Sequence, residues 1–214
     1  MALEKEEIRD LYRKRARGYD ISANLYYLIG FREAKYRKMA VSQLALRPGN
    51  SLVEIGCGTG LNFRYALNDL GPMGKLIGVD LTDAMLKQAE ARVNASDWRN
   101  ITLIQSDAAK YIFPSNIDGV FSSFALTLVP EYQTVIKRAS HALREGGRLV
   151  ILDFKKPETW PLWITKLGVA ITKPFGVSLD LADRKPWETM KRYFRHVTIT
   201  NMYGGFVYIA TGEK

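Results

Sequence analysis

The fold of this chain is decided by the stretch Val53-Glu54-Ile55-Gly56-Cys57-Gly58-Thr59-Gly60, in which an apolar run passes into a glycine-rich turn. Glycines at alternate positions allow a tight turn between a strand and a helix, and they let the backbone approach a ligand closely. The first N–H groups of the following helix lack intrahelical partners and favour a polar or anionic ligand at the same place. A nicotinamide dinucleotide fits poorly, because its fingerprint requires a third glycine where this chain has Leu61.

Outward from this turn, strand-like and helical patterns alternate along the chain. Short runs that indicate strands cover residues 51–55, 75–79, 101–105, 117–122 and 148–153. Helical patterns at 61–70, 83–95 and 130–144 separate them. Such alternation is typical of βαβ units, so we predict an α/β fold with a Rossmann-like, doubly wound and mostly parallel sheet.

The C-terminal part breaks the alternation. Two further strand-like runs, 196–203 and 206–211, follow a helix that begins at Pro186. Gly204 and Gly205 join the two runs, and a two-residue link of this kind is typical of a tight antiparallel hairpin. We therefore predict a seven-stranded sheet with a reversed C-terminal strand.

Two carboxylates stand at the ends of predicted strands. Asp80 ends the second strand and Asp107 ends the third. The carboxyl ends of parallel strands form the edge at which open α/β sheets bind ligands, and an acidic residue after the second strand suits a ribose diol. The sequence therefore predicts a ribose-containing ligand at this edge.

Four runs within residues 45–154 share their order and spacing with a known family. They read Glu54-Ile55-Gly56-Cys57-Gly58-Thr59-Gly60, Gly78-Val79-Asp80-Leu81-Thr82-Asp83-Ala84-Met85-Leu86, Gln105-Ser106-Asp107-Ala108 and Leu143-Arg144-Glu145-Gly146-Gly147-Arg148-Leu149. In these runs, and in its reversed last strand, the chain resembles the class I S-adenosylmethionine-dependent methyltransferases. The resemblance implies an enzyme with S-adenosylmethionine as cofactor and S-adenosylhomocysteine as product.

The resemblance also implies which residues bind the cofactor. Gly56, Gly58 and Gly60 would make room for its methionine portion, and Glu54 would support the turn. The other cofactor-binding residues would be Asp80 at the ribose hydroxyls, Leu81 and Met85 beside the adenine, Asp107 and the Ala108 N–H at the adenine edge, and Ser123 near the sulfonium.

The chemistry makes modest demands on the protein. A sulfonium is already activated, so the enzyme has to hold the acceptor in line and exclude water, which lowers the barrier by about 7 to 11 kcal/mol in favourable cases. The two histidines, His141 and His196, are expected to be structural or solvated. No His, Cys and Asp residues have metal-ligand spacing, so we predict that no metal takes part.

The segments that cover the carboxyl edge are expected to select the acceptor. The run from Tyr12 through Tyr19-Asp20 to Gly30 looks like that of two subfamilies, UbiE-like quinone-ring C-methyltransferases and bacterial N-methyltransferases of lipid amino headgroups such as phosphatidylethanolamine or betaine lipids. Its spacing favours N-methylation of a membrane lipid as the main prediction. The alternative is C-methylation of a quinone ring, or methylation of another small molecule.

Tyr12 and Tyr19 are the candidate catalytic residues, because tyrosine rings can position a cationic headgroup by cation–π contact. An aromatic helix face packed on the sheet is the other interpretation. These tyrosine side chains are compatible with a hydrophobic acceptor, including a lipid.

The domain organisation is predicted from the same patterns. Residues 1–50 form an N-terminal helical cap, and residues 51–214 form the methyltransferase domain. Within it, residues 155–195 form an insertion that places Trp160, Trp163 and Phe175 among lysines. This insertion is interpreted either as a substrate lid or as a segment in a bilayer interface, and both interpretations favour a hydrophobic acceptor.

The formal net charge of +9 is concentrated in the two accessory segments. Residues 1–50 hold 11 basic and 6 acidic residues, residues 155–195 hold 9 and 4, and the remainder holds 11 and 12. This distribution favours peripheral contact with an anionic membrane, and nucleic acid is not expected as a partner. A cofactor-binding regulator without catalysis is a further hypothesis, which the intact motifs do not favour. The sequence leaves the oligomeric state open.

The single cysteine, the lack of a long apolar run and the acidic N-terminus together predict a cytoplasmic protein. Peripheral association would then involve the inner face of the membrane.

Overall fold

The computed structural model describes residues 5–20, 30–157 and 184–214. Residues 21–29 of the run from Tyr12 to Gly30, and residues 158–183 of the predicted insertion, lie outside the described residues. The strands are β1 (Ser51–Ile55), β2 (Lys75–Asp80), β3 (Ile101–Gln105), β4 (Ile117–Ser123), β5 (Leu143–Phe154), β6 (His196–Met202) and β7 (Val207–Glu213). The α-helices are α1 (Lys5–Arg15), α2 (Glu33–Ser42), α3 (Phe63–Leu70), α4 (Asp83–Ala95), α5 (Tyr132–Ala142) and α6 (Pro186–Met190).

The seven strands form one sheet in the order β3-β2-β1-β4-β5-β7-β6. The pairs among β1 to β5 are parallel, whereas β7 runs antiparallel to both β5 and β6. The predicted fold class, a doubly wound and mostly parallel sheet with a reversed C-terminal strand, is therefore confirmed. Because the chain moves outward from β1 to one side and then from β4 to the other, the strand order reverses between β1 and β4, where such sheets bind ligands.

The core lies on both faces of the sheet. Along β5, Leu149 and Ile151 join one apolar cluster, and Val150 and Leu152 join the other, because successive side chains of a strand point to opposite faces. The first cluster is covered by α5 and α6, and the second by α2 and α3. Burial on both faces explains why these strands are continuous apolar runs.

The connection between β6 and β7 differs from the predicted two-residue link. Its strands end at Met202 and resume at Val207, so four residues form the turn. Tyr203, Gly204 and Gly205 all have positive φ angles, of 49°, 63° and 88°. Three consecutive left-handed residues make a wider turn than two central glycines would, although the antiparallel pairing is as predicted.

Strand β5 begins earlier than predicted. Leu143 already pairs with Ile117, and the register then shifts so that Arg148 pairs with Gly119. Gly146, with φ of 73°, lies in this irregular stretch. The helix therefore ends at Ala142 and not at Arg144, because Leu143 already belongs to the bulged strand.

The end of the predicted insertion packs on the sheet. Trp187 and Met190 of α6, together with Phe194, belong to the core cluster beneath β7. A Cβ atom on Gly212 would lie 2.8 Å from Cγ of Phe194 and 2.9 Å from Cε of Met190, so this helix needs a glycine on β7. The lid and cap boundaries remain predictions.

Candidate active site

A cleft opens at the carboxyl ends of β1, β2, β3 and β4, beneath α1. Its empty volume, which includes open solvent at the mouth, is about 800 Å³. Ten of the predicted site residues line it: Tyr12, Tyr19, Gly56, Gly58, Asp80, Leu81, Met85, Asp107, Ala108 and Ser123. Glu54 and Gly60 are not among the lining residues.

Asp80 fastens the glycine-rich turn to the end of β2. Its Oδ2 accepts a hydrogen bond from the Gly58 N–H at 2.8 Å, and its Oδ1 accepts one from the Thr82 N–H at 2.8 Å. Burial raises the pKa of this carboxyl group, and the backbone hydrogen bonds oppose that shift. The first turn after β1 is thus held open over the second strand by a side chain that itself lines the cleft.

The three glycines of the turn have different reasons to lack a side chain. A Cβ atom on Gly56 would lie 2.3 Å from Cβ of Ala125, and one on Gly60 would lie 2.5 Å from Cε2 of Phe63. A Cβ atom on Gly58 would meet nothing within 4 Å. Gly58 is therefore the glycine that faces open space, whereas Gly60 makes room for Phe63.

The far end of the cleft is formed by β3 and α4. Asp107 follows β3, and its Oδ1 accepts a hydrogen bond from the Ala109 N–H at 2.9 Å. Met85 is fully buried at the start of α4 and, with Leu81, gives this end an apolar wall. An apolar wall beside a carboxylate suits a flat heteroaromatic ring with an amino group.

Helix α1 forms the roof of the cleft through Ile8 and Tyr12, and Tyr19 extends it. The ring centroids of Tyr12 and Tyr19 are 6.1 Å apart. Burial raises the pKa of Tyr12 well above its usual value and that of Tyr19 to about 12. Both phenols are therefore protonated at neutral pH, which makes them hydrogen-bond donors and unsuitable as general bases.

Asp20 ties this roof to the turn, a role that the sequence did not indicate. Thr59 Oγ1 donates a hydrogen bond to Asp20 Oδ1 at 2.7 Å. Arg92 pairs with the other carboxylate oxygen of Asp20 and donates from Nε to the Thr59 carbonyl oxygen at 2.8 Å. A more exposed pair, Arg13 Nε to Asp83 Oδ1 at 2.7 Å, joins α1 to α4.

A buried polar network lies behind the cleft. Arg37 is 5% exposed and pairs with Glu33 one helical turn earlier. Its Nη1 donates to Ser123 Oγ at 2.7 Å and to Asn62 Oδ1 at 3.2 Å. Asn62 Nδ2 donates to Glu54 Oε1 at 2.6 Å and to Ser123 Oγ at 2.9 Å. Helix α2, which falls within the predicted cap, is thereby connected to β1 and to the end of β4.

Glu54 is the innermost acid of this network. Burial raises its pKa to about 8, although the hydrogen bond from Asn62 and the charge of Arg37 oppose the shift. Its Oε2 atom is buried without a hydrogen-bond partner. The predicted supporting role of Glu54 corresponds to a position beneath the turn.

Arg37 and Asn62 were missed at the level of sequence. The available signal was the Glu33–Arg37 spacing of four residues, which places an acid and a base on one side of a helix. Such pairs are usually solvated. Only the packing of α2 against the sheet shows that this one is buried.

Aromatic side chains form a wall beside the ends of β4 and β5. Phe124 has φ of 53°, and its ring centroid lies 4.8 Å from that of Phe154 and 6.0 Å from that of Phe31. Phe31 also meets Tyr203 of the C-terminal turn edge-on at 5.4 Å. Phe124 lines the cleft, so the wall continues from the predicted cofactor region towards the hairpin.

Asp153 is the penultimate residue of β5 and lies next to Phe154 of the aromatic wall. It is 3% exposed, and burial raises its pKa to about 6. Its oxygens accept hydrogen bonds from the Thr127 N–H at 3.0 Å and the Phe154 N–H at 2.9 Å. These bonds order the loop after β4 from behind.

Two absences can be stated for the described ranges. Among residues 5–20, 30–157 and 184–214, no group of three or more His, Cys, Asp and Glu side chains could hold a metal ion. No helix within those same ranges is long and apolar enough to cross a bilayer. His141 and His196 are both exposed.

The sheet order, the reversed β7 and the cleft define this protein as an S-adenosylmethionine-dependent methyltransferase, as predicted. The model of the ubiE/COQ5 methyltransferase family matches residues 1–166. The chain belongs to this family.

Three known proteins illustrate the similarity. The ubiquinone/menaquinone biosynthesis C-methyltransferase UbiE of Ectopseudomonas mendocina is 29% identical over 230 residues, which cover 98% of this chain and 89% of that protein. A demethylmenaquinone methyltransferase of Symbiobacterium thermophilum is 34% identical over 157 residues, 72% of this chain and 62% of that protein. Phosphoethanolamine N-methyltransferase 2 of Haemonchus contortus, solved with S-adenosyl-L-methionine, aligns with a TM-score of 0.58 and 25% identity over 73% of this chain and 36% of that one.

Proposed function

We propose that this enzyme transfers a methyl group to a ring carbon of a hydrophobic quinol. The observation that carries the proposal is the aromatic wall around Phe124, which adjoins the cleft at the end of β4. A flat ring with an apolar tail packs favourably on such a wall, because offset and edge-to-face aromatic contacts add to the burial of apolar area. The relatives named as a ubiquinone/menaquinone biosynthesis C-methyltransferase and as a demethylmenaquinone methyltransferase support the same acceptor class.

We propose that the cleft binds S-adenosylmethionine through the residues that the resemblance implies. Asp80, which lines the cleft, would accept hydrogen bonds from the ribose, and Gly58, whose added Cβ atom would meet nothing within 4 Å, would leave space for the methionine portion. Leu81 and Met85 would contact the adenine, with Asp107 and the Ala108 N–H at its edge. When bound, the cofactor supplies an electrophilic methyl group.

The chain's own residues orient the acceptor and exclude water. Tyr12 and Tyr19 close the cleft from above as protonated phenols, so they can donate hydrogen bonds to acceptor oxygens. The acceptor ring would pack against Phe124. Ionisation of an adjacent phenol, with its proton passing to solvent, makes the ring carbon a better nucleophile. After the carbon takes the methyl group, its own proton is lost and the oxygen is reprotonated, so the reaction releases one proton in total.

N-methylation of a lipid amino headgroup, the main prediction from the sequence, is the second candidate. The similarity to the phosphoethanolamine N-methyltransferase favours it. The relatives that cover more of their own length are named for quinone chemistry, so the alternative prediction agrees with them better.

Membrane contact is part of this proposal. A long-tailed quinol resides in the bilayer, and the positive charge of residues 1–50 and 155–195 would attract anionic lipids, by about 1 kcal/mol per basic residue near the surface. Binding to anionic vesicles should then weaken as salt is raised.

The experiment supplies labelled S-adenosylmethionine with either reduced demethylmenaquinone or phosphatidylethanolamine vesicles. The quinol should gain one methyl mass, located on the ring by fragmentation. Label in the lipid amine, with none in the quinol, would overturn the proposal in favour of the second candidate. Heat-denatured enzyme is the control for spontaneous methylation.

A further inference from the structure

The hydroxyl group of Ser123 receives two hydrogen bonds and makes none within the network. Arg37 Nη1 donates to its Oγ at 2.7 Å, and Asn62 Nδ2 donates at 2.9 Å. A guanidinium has no acceptor, so the direction of the first bond is fixed. A serine oxygen has two lone pairs and one proton. With both lone pairs engaged, its O–H can act only as a donor.

The direction of the Asn62 bond is equally determined. Its Oδ1 must face Arg37, because the guanidinium can only donate, and the 3.2 Å contact is between these two groups. The amide nitrogen then faces both Glu54 Oε1 and Ser123 Oγ. A flipped amide would set donor against donor at Arg37, so the network has one consistent arrangement.

The hydroxyl proton of Ser123 is available for a hydrogen bond to a ligand in the cleft. Ser123 ends β4 and lines the cleft, whereas Arg37 and Asn62 are buried and do not line it. The next residue is Phe124, and the Arg37 guanidinium carbon lies 5.2 Å from its ring centroid. One buried arginine thus holds both the hydroxyl and the aromatic surface at the predicted acceptor position.

We propose that Ser123 donates a hydrogen bond from its hydroxyl to an oxygen of the acceptor ring, and that Arg37 and Asn62 are positioning residues for this donor. The inference rests on the proposed function, because it takes the acceptor to be a quinol. The chemistry required of the ligand is an anionic or carbonyl oxygen next to the carbon that is methylated.

The physical effect follows from the two bonds that Ser123 accepts. A hydroxyl that accepts from a guanidinium is polarised and becomes a stronger donor, since hydrogen bonds in a chain reinforce one another. Donation to a phenolate oxygen favours the ionised ring over the neutral one. The titratable groups around this position are Arg37, Glu33, Glu54, Tyr19 and Asp80. Glu33 forms an ion pair with Arg37, and burial raises the pKa of Glu54 to about 8.

The test compares wild type with Ser123→Ala, using reduced demethylmenaquinone as acceptor. We expect kcat to fall about 10- to 100-fold, as for loss of a hydrogen bond to a charged group. The pH profile of kcat should shift to higher pH, while the Kd for S-adenosylhomocysteine stays within twofold. Ser123→Thr keeps the hydroxyl and should restore the wild-type pH profile. The matched control is Ser140→Ala, since Ser140 is buried on α5 and donates to the Lys137 carbonyl.

Each other outcome has a defined meaning. Unchanged kcat and pH profile in Ser123→Ala overturn the inference and leave the proposed function standing. Weaker S-adenosylhomocysteine binding with an unchanged pH profile assigns the donor to a cofactor oxygen and also overturns it. Wild type without quinol turnover refutes the proposed function, and the inference with it. If Ser123→Ala does not fold, Ser123→Cys, a weaker donor of similar size, should show the same losses in smaller measure, and wild-type behaviour of that variant overturns the inference.

Arg37 itself is a poorer target for substitution. Its removal would leave Glu33 as an unpaired buried acid, which strongly destabilises a protein. Loss of activity would then report unfolding as readily as loss of positioning.

Discussion

Thr59 in the glycine-rich turn donates a hydrogen bond from Oγ1 to Asp20 Oδ1 at 2.7 Å, which joins the predicted cap to the cofactor cleft. Arg92 contacts both residues from α4, through the Asp20 carboxylate and the Thr59 carbonyl oxygen. The roof residue Tyr19 immediately precedes Asp20 in the chain. The position of the roof and the conformation of the turn are therefore coupled through one carboxylate.

Substitution Asp20→Ala should weaken S-adenosylhomocysteine binding about tenfold, in proportion to the loss of one to two hydrogen bonds with charged character. Isothermal titration calorimetry measures the Kd directly. Asp10→Ala is the matched control, because Asp10 is an exposed residue of α1 that lies 3.8 Å from Arg9 in a surface pair. An unchanged Kd in Asp20→Ala would show that the turn keeps its conformation without this anchor.

Substitution Gly56→Ala should destabilise the protein by more than about 2 kcal/mol, because a left-handed residue acquires a Cβ atom that must displace Ala125. The control is Gly49→Ala, which also has positive φ but whose added Cβ would meet nothing within 4 Å. Its cost should be about 1 kcal/mol, from backbone conformation alone. Urea unfolding of both variants gives the two free energies, and equal losses would contradict the steric argument.

The Glu54 carboxyl group should make stability depend on pH. Its pKa is raised from 4.5 to about 8 in the folded protein, so the folded state binds the proton more tightly than the unfolded chain does. The resulting stabilisation is fully present below pH 4.5 and is lost as the pH rises towards 8.

In Glu54→Gln, the free energy of unfolding should therefore change less between pH 5 and pH 8 than in wild type, by an amount on the order of a few kcal/mol. Urea unfolding at several pH values in that interval provides the measurement. Glu90→Gln, the same change of acid to amide at an exposed residue of α4, serves as control. If the unfolding free energies of wild type and Glu54→Gln change with pH in the same way, folding does not raise the pKa of Glu54.

Phe124→Leu should raise the KM for the quinol about five- to tenfold, because the ring loses its stacking partner and part of the apolar wall. The Kd for S-adenosylhomocysteine should not change. Phe113→Leu is the control, since Phe113 packs edge-on against Tyr111 at 4.9 Å and does not line the cleft. Steady-state kinetics with reduced demethylmenaquinone separates the two variants, and equal KM values would exclude Phe124 from acceptor binding.

Much of the cofactor cleft could be predicted from sequence because its parts lie at the ends of consecutive strands. A parallel sheet brings Asp80, Asp107 and the glycine-rich turn to one edge whatever the details of packing. The residues at which strands begin and end were less predictable. The turn at Tyr203 to Gly205 depends on three left-handed residues, and the early start of β5 depends on a bulge opposite β4.

The contacts between distant segments were not predictable. Asp20 and Arg92 are 72 positions apart, and Arg37 and Ser123 are 86 apart. Neither pair has a local pattern, because each depends on how a cap helix is oriented against the sheet. Glu54 could be placed at the turn, yet its raised pKa follows from full burial, which strand alternation alone does not fix.

The sequence by itself determined the doubly wound sheet, its reversed last strand and the residues at the strand ends, since apolar periodicity and glycine spacing act locally. The cofactor was implied by the resemblance of the chain's motifs to a known family. Tertiary structure alone decided that Arg37 is buried beneath Phe124 and that the Ser123 oxygen accepts two hydrogen bonds, so that its hydroxyl can only donate to a further partner. It also decided that Asp20 of the predicted cap is hydrogen-bonded to Thr59 of the turn. These properties depend on which atoms exclude water from one another, and that is settled when the helices pack.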